Sequence, residues 1–172
     1  MSIASRALRG LLGLFRPSVR RQPRPARGTT SSPGQSGPSA TVEVDPRSLR
    51  GLRLGYAPDH DRDPDPGEIV WTWVPFQEHD GRGKDRPVLV VAAEKSGTVL
   101  AVQLTSKDHD DGRGDFVALG TGAWDSRRRD SWANIERVFR VHPAGMRRQA
   151  ASLDKTRYRR VAQALNRRYG WR

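Results

Sequence analysis

The sequence predicts a mainly β domain, a small barrel or a strongly bent sheet, that ends in one C-terminal helix. Three observations carry this prediction. Short runs rich in β-branched and aromatic residues recur between residues 68 and 141. Glycine, proline and aspartate, which favour turns, separate these runs. Residues 152–169 then show helical periodicity, with apolar side chains on one stripe and arginines on the other side.

Three predicted strands follow one another in the middle of the chain. The first, Glu68–Val74, alternates between two faces and is rich in aromatic and β-branched residues. The second, Pro87–Ala93, is apolar on both faces, which is typical of a central, buried strand. The third is Thr98–Ser106, after a turn at Glu94–Gly97. The polar residues 75–85 form a loop long enough to suggest a function.

The remaining elements complete the predicted domain. Phe116–Leu119 is a short strand, and Ser131–Val141 is a last strand with a bulge near Asn134. Pro143–Gln149 is expected to form a helical turn. Either Ser152 or Asp154 then caps the helix. The barrel domain with its terminal helix therefore spans residues 67–169.

Residues 1–66 precede this domain and divide into three segments. Residues 1–16 form a short, basic, amphipathic segment whose apolar part falls short of the ~20 residues that span a bilayer. A helix that frays in water is favoured over a membrane-surface helix, so membrane contact is not expected. Residues 17–40 are rich in Pro, Gly and Ser and indicate a disordered linker. Residues 41–66 indicate an extended arm that lies across the domain or adds an edge strand.

Composition limits the chemistry. The chain has 172 residues and a net charge of +12, but residues 41–140 carry 15 basic and 18 acidic groups, so the charge lies at the two ends. Basic ends either bind RNA or acidic lipid non-specifically or are simply solvated. The lack of cysteine excludes disulfides and thiolate metal sites. The four histidines are not spaced as a metal set, and we expect neither a metal nor a cofactor.

The register between the second and third strands decides whether they carry a site. A four-residue turn after Ala93 pairs that residue with Thr98 and places Arg86 directly opposite Thr105, on the same face. A three-residue turn would instead place Ser106 opposite Arg86. Because the second strand is apolar on both faces, its pattern does not choose between the two registers.

An arginine that faces a hydroxyl group can hold a phosphate. The guanidinium of Arg86 offers a planar fork to two oxygens, and the hydroxyl of Thr105 donates to a third. If the phosphate links two RNA nucleotides, the 2′-OH of the substrate is the nucleophile, and the protein needs only to stabilise charge and move protons. The alternative is a surface ion pair between Arg86 and Asp85, with Thr105 chosen for strand propensity.

Four short motifs occur in a characteristic order. They are Gly67–Trp71 (GEIVW), Arg86–Val91 (RPVLVV), Leu104–Ser106 (LTS) and Asn134–Val141 (NIERVFRV), with the polar, glycine-containing loop between the first two. This ordered set resembles the MazF/PemK family of toxin endoribonucleases from toxin–antitoxin pairs. The resemblance covers about residues 66–165.

The resemblance implies an SH3-like barrel, a homodimer and metal-independent cleavage of single-stranded RNA such as mRNA in the cytoplasm. The products would carry a 2′,3′-cyclic phosphate and a 5′-OH, and a cognate antitoxin protein would be the partner. The catalytic arginine of the family falls on Arg86 and its catalytic hydroxyl on Thr105. The loop 75–85 corresponds to the mobile loop beside the RNA groove.

Further candidates surround this pair. His79 and His109 lie in loops predicted at the same end of the barrel and are candidate proton shuttles, although a solvated loop histidine is the alternative for each. Side chains expected to contact RNA are Gln77, Arg82, Lys84, Gln103, Ser106 and Lys107.

A second functional hypothesis is a non-catalytic, SH3-like binding module. Related SH3-like toxins act on a DNA topoisomerase through protein contact, so this reading rests on analogy of fold. The aromatic and basic tail Tyr169–Arg172 (YGWR) is its candidate contact. The alternative for the tail is a frayed helix end.

Overall fold

A computed structural model describes residues 31–59, 63–107 and 114–172. These ranges contain seven strands and one α-helix. The elements are β1 (Val42–Val44), β2 (Glu68–Pro75), β3 (Gly83–Ala93), β4 (Val99–Thr105), β5 (Phe116–Gly120), β6 (Ser131–Val141), β7 (Met146–Ser152) and α1 (Lys155–Tyr169). The predicted mainly β fold with a C-terminal helix is confirmed.

The strands form one antiparallel sheet in the order β1-β6-β4-β3-β2-β7, and β5 also pairs with β6. Apolar side chains pack on both faces of the sheet. Leu89 and Val102 belong to the larger cluster, which includes helix α1, whereas Val88 and Val90 belong to a smaller cluster around Phe139. Successive residues of β3 thus enter different clusters, which is why this strand is apolar on both faces. Within the described ranges, no helix is long and apolar enough to cross a membrane.

The turn between β3 and β4 differs from the prediction. Ala93 pairs with Val99, so the predicted pairing of Ala93 with Thr98 is wrong. A bulge at Val91 then shifts the register by one residue, and Val88 pairs with Gln103. The longer turn and the bulge cancel, because each adds one residue to a different strand. Beyond Val91 the strands therefore follow the predicted register.

Two further irregularities shape the sheet. Gln103 of β4 pairs with Asn134 of β6, whereas the preceding residue of β4, Val102, pairs with Val138. The intervening residues of β6 therefore bulge out, as predicted near Asn134. The predicted helical turn at Pro143–Gln149 is wrong over most of its length. Only Pro143–Gly145 forms a 3-10 turn, and β7 follows because β2 offers it an open edge for backbone hydrogen bonds.

The arm adds the edge strand β1 beside β6 and continues across the core, where Leu49, Leu52, Leu54 and Tyr56 pack against the larger cluster. The predicted linker 17–40 is described from residue 31, and residues 31–40 form turns. Gly34 is buried there with φ +79, and a Cβ on it would lie 2.7 Å from the carbonyl oxygen of Gly145. The segment 1–16 lies outside the described residues.

Helix α1 is capped by Asp154, whose carboxylate accepts a hydrogen bond from the N–H of Arg157 at 2.9 Å. Gly170 ends the helix with φ +71. The tail beyond it is not frayed. Trp171 is fully buried, and the N–H of Arg172 donates to the carbonyl oxygen of Leu52 at 2.9 Å.

Candidate functional site

A cleft of about 1140 Å³ opens where strand β3 begins and strand β4 ends. The loops 76–82 and 121–130 and strand β6 complete its walls. Its lining holds seven basic and five acidic side chains, so the cleft is positive although the middle of the chain is not. The basic residues are Arg82, Lys84, Arg86, Lys107, Arg127, Arg129 and Arg137.

Arg86 reaches this cleft from β3, where it is partly buried opposite Thr72 of β2. Burial, with a smaller contribution from the positive charge of Arg137, lowers the pKa of Arg86 below its ordinary value. Asp85, the alternative partner of Arg86, instead pairs with Arg147. Within the described ranges, no carboxylate forms an ion pair with Arg86. Its guanidinium is therefore available to an anion in the cleft.

Thr105 is the last residue of β4 and lines the same cleft. Its hydroxyl oxygen accepts a hydrogen bond from the N–H of Lys107 at 3.2 Å, so its own proton is available to donate. The ladder between β3 and β4 ends at Val88 and Gln103. Arg86 lies two residues before Val88 in β3, and Thr105 lies two residues after Gln103 in β4. The same register, if continued, would place them opposite each other. The register thus brings this pair to one cleft.

Arg137 is a component of the cleft that the sequence analysis missed. It lies in the bulge of β6, and its side chain is only 11% exposed. Its Nε and Nη2 donate to the carboxylate of Glu43 at 2.9 and 2.5 Å, and Nη2 also donates to the carbonyl oxygen of Pro75 at 2.9 Å. The guanidinium stands 4.9 Å from the ring centre of Phe139. The sequence signal was an arginine inside an apolar strand.

Glu43 itself comes from the arm and was also missed. Burial raises its pKa, but hydrogen bonds and charge attraction from Arg137 and His79 outweigh burial, and the net pKa lies below its ordinary value of 4.5. The carboxylate is therefore ionised at neutral pH. It is separated from Arg137 by 94 residues in sequence, and no short motif reveals such a pair.

The structure describes one of the two candidate proton shuttles, His79. His79 is exposed on the loop 76–82, has φ +50, and lies 3.1 Å from a carboxylate oxygen of Glu43, measured from its Nε2. It is not among the residues that line the cleft. His109 lies outside the described residues. In the part of the chain that the structure describes, no three His, Asp or Glu side chains are grouped to hold a metal ion.

All six residues predicted to contact RNA line the cleft. Gln103 is almost buried on its floor, while Arg82 is exposed, pairs with Asp80 and stands 5.9 Å from the ring centre of Phe76. The others are Gln77, Lys84, Ser106 and Lys107. The cleft therefore collects the predicted polar residues around Arg86 and Thr105.

The loop 121–130 forms a wall that the sequence analysis did not assign to the site. Trp124 fixes it, because the indole N–H donates to the hydroxyl of Ser131 at 3.0 Å in the core. Asp125 and Arg129 form an ion pair at 2.7 Å, whose hydrogen bonds hold the pKa of Asp125 below its ordinary value. Arg127 and Arg129 face the cleft from this loop. The run of arginines at 127–129 was the available signal.

Known proteins resemble this chain in sequence and in fold. Residues 65–168 match the family model of the PemK-like, MazF-like toxins of type II toxin–antitoxin systems. The fold is similar to a chain of MazE-MazF (Form-II) from Deinococcus radiodurans, with 22% identity, a TM-score of 0.50, and coverage of 64% of this chain and 98% of that one. The toxin MazF-mt6 of Mycobacterium tuberculosis matches with 15% identity, a TM-score of 0.44, and coverage of 61% and 98%. No curated protein matches in sequence. The chain belongs to the PemK-like, MazF-like toxin family of type II toxin–antitoxin systems.

Proposed function

We propose that this toxin-family chain is a metal-independent endoribonuclease that cleaves single-stranded RNA. One observation carries the proposal. Arg86, which has no carboxylate partner among the described residues, and Thr105, which has a free hydroxyl proton, line one positively charged cleft. A cleft of this charge attracts a polyanion, and its two central groups suit a phosphate.

The reaction that fits this pair is an internal transesterification. The 2′-oxygen of the RNA attacks the neighbouring phosphorus, the bond from phosphorus to the 5′-oxygen breaks, and a 2′,3′-cyclic phosphate and a 5′-OH result. One proton leaves the 2′-OH and one reaches the 5′-oxygen. Arg86 stabilises the charge that develops on the phosphoryl oxygens, and Thr105 donates a hydrogen bond to one of them. Because the nucleophile belongs to the substrate, the protein supplies neither a nucleophile nor a metal.

Arg137 is a second cation for the same phosphate or its neighbour. It stands close enough to Arg86 for its charge to lower the Arg86 pKa, and it faces the same cleft. Proton transfer by His79 requires the loop 76–82 to move, because this histidine is bound to Glu43 outside the cleft lining. A role for His109 stays a prediction.

The same cleft offers contacts to the bases. Trp71 and Phe116 contribute aromatic side chains to its lining, and aromatic rings stack on bases with little sequence preference. Gln103 and Asn134 contribute amides, which are suited to reading base edges. A homodimer, a cognate antitoxin and a cytoplasmic location complete the proposal and rest on family membership.

The hypothesis of a non-catalytic module gains no support from the tail. Its candidate contact, Tyr169–Arg172, is largely occupied within the fold, because Trp171 is buried and the backbone of Arg172 is bonded to the arm. Removing these residues for a partner would open the core.

The proposal is tested with the purified chain in EDTA and two versions of one long single strand. We expect the ribose strand to be cleaved and its 2′-O-methyl version to remain intact, since methylation removes the nucleophile. The new 3′ ends should resist a phosphatase that removes only phosphate monoesters, until acid opens the cyclic phosphate. Intact RNA, or cleavage that needs added Mg²⁺, would refute the proposal.

A further inference from the structure

The N-terminal arm contributes a charged residue at the border of the cleft. Strand β1 pairs with β6 so that Glu43 stands opposite Phe139, two residues beyond the bulge that holds Arg137. This register brings the carboxylate of Glu43 onto the guanidinium of Arg137. Glu43 lies outside residues 65–168, the part of the chain that matches the toxin family.

The contacts of Arg137 fix its orientation from three sides. The carboxylate of Glu43 accepts hydrogen bonds from Nε and Nη2, along one edge of the guanidinium. The carbonyl oxygen of Pro75 accepts a second bond from Nη2, and the ring of Phe139 packs against the guanidinium. Nη1 has no hydrogen bond to any described residue. A guanidinium held along one edge presents the remaining nitrogen in a defined direction. Because Arg137 lines the cleft, that nitrogen is the one left for a ligand.

The negative charge of Glu43 also affects the two arginines of the cleft. Arg86 and Arg137 share the cleft and repel each other, which adds to the larger effect of burial in lowering the pKa of Arg86. An ionised carboxylate on the outer edge of Arg137 offsets this repulsion and allows both guanidinium groups to stay together before RNA binds. Without Glu43, an arginine freed from its tether would relax away from Arg86.

We propose that Glu43, supplied by the arm, is a positioning residue that aims Arg137 at the RNA phosphate beside Arg86. The inference rests on the proposed ribonuclease function and adds the arm to the machinery of the site. Glu43 does not touch the substrate. It acts through Arg137, and its contact with His79 joins the loop 76–82 to the same anchor.

The arm is attached independently of Glu43, which makes the residue testable. The hydroxyl of Thr41 is 2.7 Å from that of Thr72, and Thr72 in turn donates to the carbonyl oxygen of Gly145 at 2.9 Å, all in buried positions. The N–H of Thr41 also donates to the carbonyl oxygen of Gly34 at 2.8 Å. Replacing Glu43 therefore leaves the arm docked.

The test compares Glu43→Ala with a variant that breaks another pair between a glutamate and an arginine of β6. Glu94 binds Arg140 of β6 through two hydrogen bonds of 2.6 and 2.8 Å, but neither residue lines the cleft. Glu94→Ala thus breaks an equivalent pair away from the site. Single-turnover cleavage of a long RNA gives the rate constant, and fluorescence anisotropy with its 2′-O-methyl version gives the affinity.

We expect Glu43→Ala to reduce the cleavage rate about tenfold, since small misplacements of a catalytic group are costly. The affinity should change by less than about threefold, because the cleft loses no positive charge. Glu43→Gln, which keeps the shape and one acceptor, should recover part of the rate. Glu94→Ala should match the wild type in both measurements.

Two results would overturn the inference. Cleavage by Glu43→Ala at the wild-type rate or faster would show that the carboxylate does not position Arg137, or that it competes with RNA. An equal loss in Glu94→Ala would show a general effect on the fold. If the wild type cleaves no RNA, the proposed function fails separately, and the Nε–Hε NMR signal of Arg137 then decides. That signal must move in Glu43→Ala and stay in Glu94→Ala.

Discussion

Neighbouring side chains on one strand meet different partners at this site. Asp85 and Arg86 are adjacent in β3 and both line the cleft, but successive side chains of a strand leave it in opposite directions. Asp85 therefore pairs with Arg147, while Arg86 lies near Arg137. The alternative of a surface pair between Asp85 and Arg86 is wrong for this reason.

A pH effect follows from the pair between Glu43 and Arg137. The folded pKa of Glu43 lies below its ordinary value of 4.5, so the pair stabilises the fold above that pH. The contribution is lost as the pH falls through the folded pKa. Because the pair is partly solvated, we expect Glu43→Gln to cost under about 1 kcal/mol at pH 7 and nothing measurable at pH 2.

Urea unfolding of the wild type and Glu43→Gln at several pH values measures this difference. Asp45→Asn is a suitable control, because Asp45 is exposed and lies on the same arm. A penalty for Glu43→Gln that is as large at pH 2 as at pH 7 would contradict the assignment of charge to this pair.

Strand β3 is longer than the sequence predicted. It begins at Gly83 instead of Pro87, and the predicted loop 75–85 is therefore shortened to residues 76–82. A Cβ at Gly83 would lie 2.5 Å from the carbonyl oxygen of Val74 and 2.6 Å from Nε1 of Trp73. Glycine is thus required for β2 and β3 to close together beside the cleft.

Gly83→Ala should therefore destabilise the fold by about 1–3 kcal/mol, the usual cost of forcing an atom into a packed site. Gly55→Ala is the matched control, since a Cβ there meets only side-chain atoms of Pro66 at 3.4 and 3.5 Å. Urea unfolding of the two variants gives the comparison. A cost at Gly83 no larger than at Gly55 would show that the strands separate without penalty.

Local pattern was enough to predict most elements, and Arg86 and Thr105, which it singled out, line one cleft. Alternation marked β2, the doubly apolar run marked β3, and periodicity with a capping aspartate marked α1. The register between Val88 and Val90 came out as predicted although the turn did not, because the bulge at Val91 compensated for the longer turn. A run that is apolar on both faces carries no signal for such a bulge.

Other features depended on distant partners, which local pattern does not show. Strand β7 forms because β2 leaves an edge open, so the pattern of Pro143–Gln149 alone was misleading. Trp171 is buried because the arm and α1 cover it together. Glu43 reaches Arg137 through the pairing of β1 with β6.

At the scale of the whole molecule, the arm and the family domain form one unit around the cleft. Residues 41–56 add an edge strand, pack on the core and bond to the C-terminal residue. The arm reaches the cleft indirectly, because Glu43 binds Arg137, which lines it. We propose that Arg86 and Thr105 in this cleft cleave RNA.

Single-turnover cleavage of a long single-stranded RNA in EDTA tests that claim most directly. We expect Arg86→Ala to lose about 10²–10³-fold in rate, as when one charge-stabilising donor is removed, and Thr105→Ala to lose at least about tenfold. Arg160→Ala, which removes an equal charge from the exposed side of α1, should cleave like the wild type. Wild-type rates in both Arg86→Ala and Thr105→Ala, or equal losses in all three variants, would contradict the assignment of the active site.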